Sequence, residues 1–511
     1  MSKNHASGRR RFLQILFGRT MVILLLLLIQ FGFLFFLISY AEKYIPYLFG
    51  SVTVFGGILL IYILNTESNP SFKLSWAFFI GILPVFGALM YLFTKIDLGH
   101  RLEQKAVQSA IDETKTLLNG DKTVDIPDKQ FVNLAAYLDK CGFFPCFKGN
   151  DVKFFPLGED KARELLFRLE QAEKFIFLEY FIIKDGELWQ AILDILKRKA
   201  ASGVEVRILY DGTNAVFNLP YNYPKKLRAM GIRCKMFSPL RPFVSTYYNN
   251  RDHRKIVVID GKIAFTGGIN LADEYVNLSS PLGHWKDTAV MVEGSAVNAF
   301  TVMFLQMWNA DEKNRIYDRY IVNHENHGHK GYVIPYADNP MDNENLAKMV
   351  YLHIINSAEK YLYITTPYLI LDNELVSAIT FAAKRGVDVR IIFPAVPDHS
   401  YAYVLALDHF PALIKAGVSI SLYKPGFIHA KQFLSDGKIG VVGTVNLDYR
   451  SLYHHFECAL LMYETEALSD IAADFNSTLA LCEPVTEESL KKRGFFSKLA
   501  GFILKVAAPL M

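Results

Sequence analysis

Two stretches of the chain carry residue types suited to acid–base and nucleophilic chemistry, in matched register. In RDHRKIVVIDGKIAFTGGINLADEY, Arg251 to Tyr275, a His is followed by Lys at +2, Asp at +7, Gly at +14 and Asn at +17. HAKQFLSDGKIGVVGTVNLD, His429 to Asp448, repeats every one of these spacings. The first set is His253, Lys255, Asp260, Gly267 and Asn270; the second, 176 residues later, is His429, Lys431, Asp436, Gly443 and Asn446. A lone His-x-Lys has little diagnostic weight. Two in register point to a single site built from a duplicated unit.

A cleft holding one set from each copy suits a phosphodiester. Lys255, Lys431, Asn270 and Asn446 can donate to non-bridging oxygens and stabilise the negative charge that grows in the transition state. One imidazole can attack phosphorus while the other protonates the leaving oxygen, which gives a phosphohistidine intermediate. On this reading no metal and no other cofactor is needed, because the lysines supply the charge that magnesium supplies elsewhere. An imidazole nucleophile works best with an acceptor on its far nitrogen. Two acids fit: Asp287 in HWKDTAVMV, assigned to His253, and Glu457 in HHFECALL, assigned to His429. Asp260 and Asp436 complete the motif and count with the catalytic set, although each precedes Gly-Lys and has the parity opposite to its His, which favours a turn role.

The elements that must position these residues are also duplicated. KFIFLEYFII, Lys174 to Ile183, reads as a buried strand, Glu187 to Ala201 as a helix, and GVEVRILYD, Gly203 to Asp211, as a second strand. The same βαβ grammar returns in KYLYITTPYLI, Lys360 to Ile370, a helix from about Glu374 to Arg385, and GVDVRIIF, Gly386 to Phe393. The fold class expected is α/β, with two repeats at 155–325 and 326–485. Within this frame Glu179 and Tyr368, taken as equivalent positions on the first strand of each repeat, are candidate glycerol or phosphate contacts. His284, His399, His454 and His455 have no repeated spacing and are read as surface or supporting residues.

The paired His-x-Lys-x4-Asp-x6-Gly-[Gly/Thr]-x-Asn motifs resemble those of the phospholipase D superfamily over roughly Phe155 to Cys482. FPLGEDKA, FIFLEYFII, GVEVRILYDG, NNRDHRKIVVIDGKIAFTGGINLADEY and ITTPYL resemble the bacterial cardiolipin synthases more narrowly. The resemblance implies duplicated α-β-α sandwich domains with one pseudo-twofold active site. It also implies transfer of a phosphatidyl group between two phosphatidylglycerols, giving cardiolipin and glycerol. In relatives the first-motif histidine is commonly the nucleophile, which would make His253 the nucleophile and His429 the acid and base, but the pseudo-symmetry leaves that assignment open. A phospholipase D-type hydrolase or nuclease would use the same residues. A lipid-binding scaffold without catalysis is disfavoured by two complete motifs.

Composition agrees with lipid as a partner: 51% of the 511 residues are hydrophobic and only 21% charged. A net charge of +4 gives no global grip on nucleic acid. The five cysteines are scattered without metal-ligand spacing and read as ordinary thiols. Residues 1–98 are expected to be a membrane anchor, with an uncharged span from Met21 to Tyr40, a second over about Ile45 to Leu64 and a third over about Leu74 to Phe93. The third carries Pro84, so two spans are the competing count. Arg9, Arg10, Arg11 and Arg19 favour a cytoplasmic N-terminus, and the long apolar run favours a retained anchor over the export signal that GRRRFLQ superficially fits. The expected location is the bacterial cell membrane, as a multi-pass protein; a homo-oligomer is left open. Residues 99–154 are expected to be a linker, and 486–511 a basic amphipathic tail with Phe495, Phe496, Leu499, Phe502, Ile503 and Val506 on one stripe, suited to an anionic lipid surface.

Overall fold

The computed structural model describes residues 19–40, 45–95, 98–121, 126–239, 250–325, 328–342 and 344–510. The basic leader and most of the aromatic linker before His253 lie outside the described residues. The chain divides into two compact units: one of residues 1–103, 240–249 and 502–511, and one of residues 104–239 and 250–501.

In the first unit four apolar helices follow one another: α1 (Arg19–Tyr40), α2 (Ile45–Leu64), α3 (Pro70–Ile82) and α4 (Pro84–Lys95). Asn69 starts α3 by accepting from Ser71 N at 2.9 Å, with Pro70 in the first turn where its missing N–H costs nothing. The third expected span is not one helix. It breaks at Leu83, ahead of Pro84, into pieces of 13 and 12 residues, because proline cannot donate into the preceding turn. At roughly 1.5 Å per residue neither piece reaches across a ~30 Å hydrocarbon layer. They fold against each other instead: a Cβ on Gly87 would lie 2.7 Å from the backbone of Phe79 and Ile80, so only glycine permits this approach. Leu59, Ile63, Ile80, Ala88 and Tyr91 form the small core, with Trp76 edge-on to Tyr91 at 5.3 Å. Among the described residues no helix is long and apolar enough to cross a membrane.

The second unit holds two large sheets and a two-stranded one. Its strands are β1 (Phe147–Gly149), β2 (Asp151–Phe155), β3 (Phe175–Tyr180), β4 (Glu205–Asp211), β5 (Arg233–Phe237), β6 (Lys255–Ile259), β7 (Ile263–Gly267), β8 (His284–Lys286) and β9 (Ala289–Glu293). The later part of the chain adds β10 (His329–Asp338), β11 (Tyr361–Thr365), β12 (Asp388–Pro394), β13 (Ser419–Tyr423), β14 (Gly426–Ile428), β15 (Gln432–Ser435), β16 (Ile439–Gly443), β17 (Glu457–Tyr463) and β18 (Cys482–Pro484). One large sheet runs β2-β9-β7-β6-β3-β4-β5 and the other β1-β10-β17-β16-β15-β11-β12-β13-β18; β14 with β8 makes the two-stranded one. Without β1 and β18 the two orders are the same sequence of seven roles, with the first three βαβ strands parallel and the rest antiparallel. The duplication read from sequence is therefore a duplication of the sheet.

Residues 99–154 are more than a linker. They carry the helices Leu98–Thr114 and Lys129–Gly142, the latter capped by Asp128, and β1, which pairs with β10 of the later sheet. β3, whose six residues are all buried, is a central strand flanked by β4 and β6. Register also corrects one equivalence. Glu179 faces Ile256 across β3/β6 and Thr365 faces Gln432 across β11/β15, so Glu179 corresponds to Thr365, and Tyr368 lies beyond the end of its strand.

Candidate active site

Both motifs sit where a chain crosses from one sheet's edge into a central hairpin. β6 and β7 are joined by Asp260, Gly261 and Lys262, the first two at positive φ (55° and 67°); β15 and β16 are joined by Asp436, Gly437 and Lys438, the first two in the same conformation (54° and 68°). In each, the lysine N–H closes a β-turn onto the last strand residue, and Asp-Gly is favoured at its two central positions because both need φ above zero. The side chain of Asp260 accepts from the backbone N–H groups of Glu173, Lys174 and Phe175 at 2.7–2.8 Å; that of Asp436 accepts from Glu359, Lys360 and Tyr361 at 2.7–2.9 Å. Each aspartate thus clamps the hairpin to the start of the neighbouring parallel strand. It lies seven residues from its histidine, roughly 20 Å along an extended chain. The structure therefore places Asp260 and Asp436 at the turn end of their hairpins, bound to backbone and away from the histidines.

The histidines lie at the opposite end of the hairpins, just ahead of the strands rather than within them. His253 precedes β6 and His429 lies between β14 and β15. Each lysine turns back on its own histidine: Lys255 Nζ donates to His253 O at 2.6 Å, and Lys431 Nζ donates to His429 O. His253, His429, Lys255 and Lys431 are all buried.

The acids pair across the duplication, opposite to the assignment made from sequence. His253 Nδ1 lies 2.9 Å from both carboxylate oxygens of Glu457, and His429 Nδ1 lies 2.6 Å from Asp287 Oδ2. The cause is backbone register between the repeats. β14 runs parallel to β8, with Gly426, Phe427 and Ile428 beside His284, Trp285 and Lys286, which sets His429 beside Asp287. A parallel bridge between Asp252 and Phe456 does the same for His253 and Glu457, with His253 N donating to Phe456 O at 2.9 Å. Neither repeat contains a complete His–acid pair of its own.

The pairs differ in their surroundings. Thr444 Oγ1 donates to Glu457, whereas the equivalent Gly268 lies so close to Asp287 that a Cβ there would be 2.1 Å from Oδ1. His455 lies 5.4 Å from the His253 ring, while Tyr275 and Trp285 lie 5.3 and 5.8 Å from His429. Of the two readings of His455, surface or supporting residue, its burial beside Glu457 fits the second.

Burial penalises every charge here. It pushes His253 down to about 3 against the upward pull of Glu457, and opposes ionisation of Glu457, which His253 nevertheless holds well below the usual carboxylate range. In the other pair burial pushes Asp287 up to about 7 despite Lys431, and His429 falls well below the ordinary imidazole value through burial and then the charges of Lys431 and Lys255. That Lys255 acts on His429 and Asp287 shows the two motifs facing one space. Burial also lowers Lys255 to about 8 and Lys431 to about 7.

The two asparagines are not equally free. Asn270 accepts from Ile182 N at 3.0 Å and donates to Tyr275 Oη at 2.8 Å, while the buried Oδ1 of Asn446 has no hydrogen-bond partner among the described residues. Glu179 is fully buried in an ion pair with Arg254, and Tyr368 donates to Asp398, so both are held by protein groups.

A family model described as cardiolipin synthase, PLD-like domain, matches residues 165–308 and 351–479, and one described as phospholipase D-nuclease N-terminal matches residues 57–95. An uncharacterized protein of Streptococcus mutans is 48% identical over 88% of this chain and 99% of its own. Cardiolipin synthases of Alkalihalophilus pseudofirmus (30% identical; 93% of this chain, 95% of that one) and of Clostridium perfringens strain SM101 (32%; 87% and 95%) match nearly end to end. The crystal structure of phosphatidylserine synthase from Haemophilus influenzae superposes with a TM-score of 0.59 at 16% identity, covering 76% of this chain and 98% of that one, a likeness of fold.

Proposed function

Since this chain belongs to the cardiolipin synthase family of phospholipase D-like proteins, we propose that its two-histidine cleft moves a phosphatidyl group from one phosphatidylglycerol to a second, through a phosphohistidine on His253. The observation that carries the reading is the crossed pairing of two buried histidines with two buried acids in unlike surroundings, His253 Nδ1 on Glu457 at 2.9 Å and His429 Nδ1 on Asp287 at 2.6 Å. With Glu457 ionised and His253 neutral, Nδ1–H is held by the carboxylate and Nε2 is left as the nucleophile. The Asp287–His429 pair keeps one more proton up to near-neutral pH, and that proton goes to the departing glycerol oxygen. In the second half-reaction the same pair, now short of a proton, takes one from the terminal hydroxyl of the incoming phosphatidylglycerol as it attacks phosphorus. The P–N bond breaks, cardiolipin leaves, and His253 is free again.

Lys255, Lys431 and the amide of Asn446 stabilise the phosphoryl oxygens. Burial favours discharge of both lysines, and an anionic diester reverses this, so positive charge accumulates there when substrate arrives. Asn270, tied to Ile182 and Tyr275, keeps one N–H for the diester. The exposed apolar side chains of α1 and α2 hold the chain at the bacterial cell membrane, and the exposed Phe495, Phe496, Phe502 and Ile503 with their neighbouring lysines serve as a second lipid contact.

Phosphatidylglycerol in detergent micelles, with products separated by mass spectrometry, tests this. Cardiolipin and glycerol in equal amounts are expected. Phosphatidic acid as the sole product would replace transfer by hydrolysis.

A further inference from the structure

One buried side chain beside the His253–Glu457 pair carries no bond-making or proton-transfer step of the transfer proposed above. His455 is buried, with 8% of its surface exposed, and neither ring nitrogen makes a hydrogen bond among the described residues. A buried imidazole with neither nitrogen bonded to a protein group is an arrangement that native structures rarely keep without use. Its nearest polar neighbour is Glu457, whose Oε1 lies 3.5 Å from His455 Nδ1 and 2.9 Å from His253 Nδ1. One donor atom from each of His253, His455 and Glu457 lies within 4.8 Å of the other two. Two imidazoles and one carboxylate converging with a position left over is the donor set of a three-ligand zinc site.

We propose that His253, His455 and Glu457 bind a borderline divalent transition ion of the Zn2+ class, and that the bound ion switches the enzyme off. Ligand separations in a tetrahedral site follow from metal–ligand bonds of about 2.0–2.2 Å, so closure needs ring adjustments on the order of 1 Å. The selectivity follows from the surroundings. Lys255, held at His253 O, opposes any cation electrostatically. Ions that bind mainly by charge to oxygen, Mg2+ and Ca2+, are therefore rejected, and ions that form strong bonds to imidazole nitrogen are retained. Coordination takes Glu457 away from His253 and draws electron density from the imidazole that attacks phosphorus. Among the described residues the other half of the cleft has no such site: the position two residues before Asp287 is Trp285, which offers no ligand atom. The inhibitory half of the proposal rests on His253 acting in phosphatidyl transfer; the binding half does not.

The test uses the full chain, untagged and freed of metal, in detergent micelles. Co2+ is titrated and read by its visible d–d absorption, Zn2+ is added as competitor, and the zinc-loaded protein is examined by X-ray absorption. Expected are saturable Co2+ bands displaced by Zn2+, a nitrogen and oxygen shell with two imidazoles and no sulfur, and loss of cardiolipin formation with Zn2+ but not with equal Mg2+ or Ca2+. His455→Asn and His455→Gln, each compared with its own metal-free rate, should raise the inhibitory Zn2+ concentration by at least roughly 10–100-fold. Absence of Co2+ bands, a sulfur ligand, or unchanged Zn2+ sensitivity in a folded His455 variant would overturn the site. The absorption measurement on the unaltered chain decides the ligands even if both variants fail to fold. Binding at His455 with undiminished turnover would overturn the inhibition alone, whereas a metal-free chain that makes no cardiolipin while still binding Co2+ would overturn the transfer reading and leave the site standing.

Discussion

The two halves of the cleft have the same backbone and unlike electrostatics. Glu457 reaches His253 from β17 with Thr444 and His455 against it; Asp287 reaches His429 from beside β8, with Gly268 pressed on its carboxylate and aromatic rings around the imidazole. The hydroxyl of Thr444 and the nearby imidazole favour an ionised acid in the first pair, while the second pair has no equivalent side-chain donor on Asp287 among the described residues. A pseudo-twofold site can thus divide two chemical roles through differences in the packing around the acids, with both motifs intact.

The largest expected effect separates the histidines. His253→Ala and His429→Ala should each lower turnover of phosphatidylglycerol on the order of 10^4-fold or more. A donor with a good leaving group, such as an aryl phosphatidyl ester, needs no general acid. With it, His429→Ala should retain a burst of released aryl alcohol equal to the enzyme present, and His253→Ala should show none. The amide variants sharpen the crossed pairing: Glu457→Gln should slow that burst on the order of 10^2–10^4-fold, and Asp287→Asn should spare it while slowing the natural donor. A burst lost in Asp287→Asn and kept in Glu457→Gln would reverse the roles.

A smaller effect is expected from pH. Asp287, near 7, shares the proton that the departing glycerol needs, and Lys431, also near 7, must be charged to meet the diester. Both lose a proton as pH rises, so kcat/KM should fall above about pH 7. On the acid side it should stay flat to well below the ordinary imidazole range, because His253 takes its own proton only near 3. A bell centred on neutral pH with an acid limb near 6.5 would contradict the buried, neutral His253.

The smallest effect on turnover is expected at the turns. Asp260→Ala and Asp436→Ala each remove an acceptor of three backbone N–H bonds, at a cost of about 2–4 kcal/mol. The melting temperature should drop by several degrees, with kcat per folded molecule little changed. A loss of kcat without a loss of stability would return these aspartates to the chemistry.

Much of the site was legible because its residues repeat. The spacing of His253, Lys255 and Asn270 against His429, Lys431 and Asn446 needs no contact information, and strand parity already set Asp260 and Asp436 apart from the histidines. The third apolar run near Pro84 was legible in composition but not in shape, since only packing at Gly87 shows the chain doubling back. The partner of Glu179, Arg254, lies 75 residues away in the chain, so their ion pair had no local signal. The place of His455 beside Glu457 had none either, because it has no counterpart in the first motif.

The sequence by itself determined the duplicated α/β repeats, the two histidines and two lysines, the candidate acids and the turns, because periodicity and spacing are local properties. Only the tertiary structure decided which acid serves which histidine. That choice depends on the parallel pairing of β14 with β8 and of Asp252 with Phe456, contacts between segments more than 140 residues apart whose register no local pattern encodes.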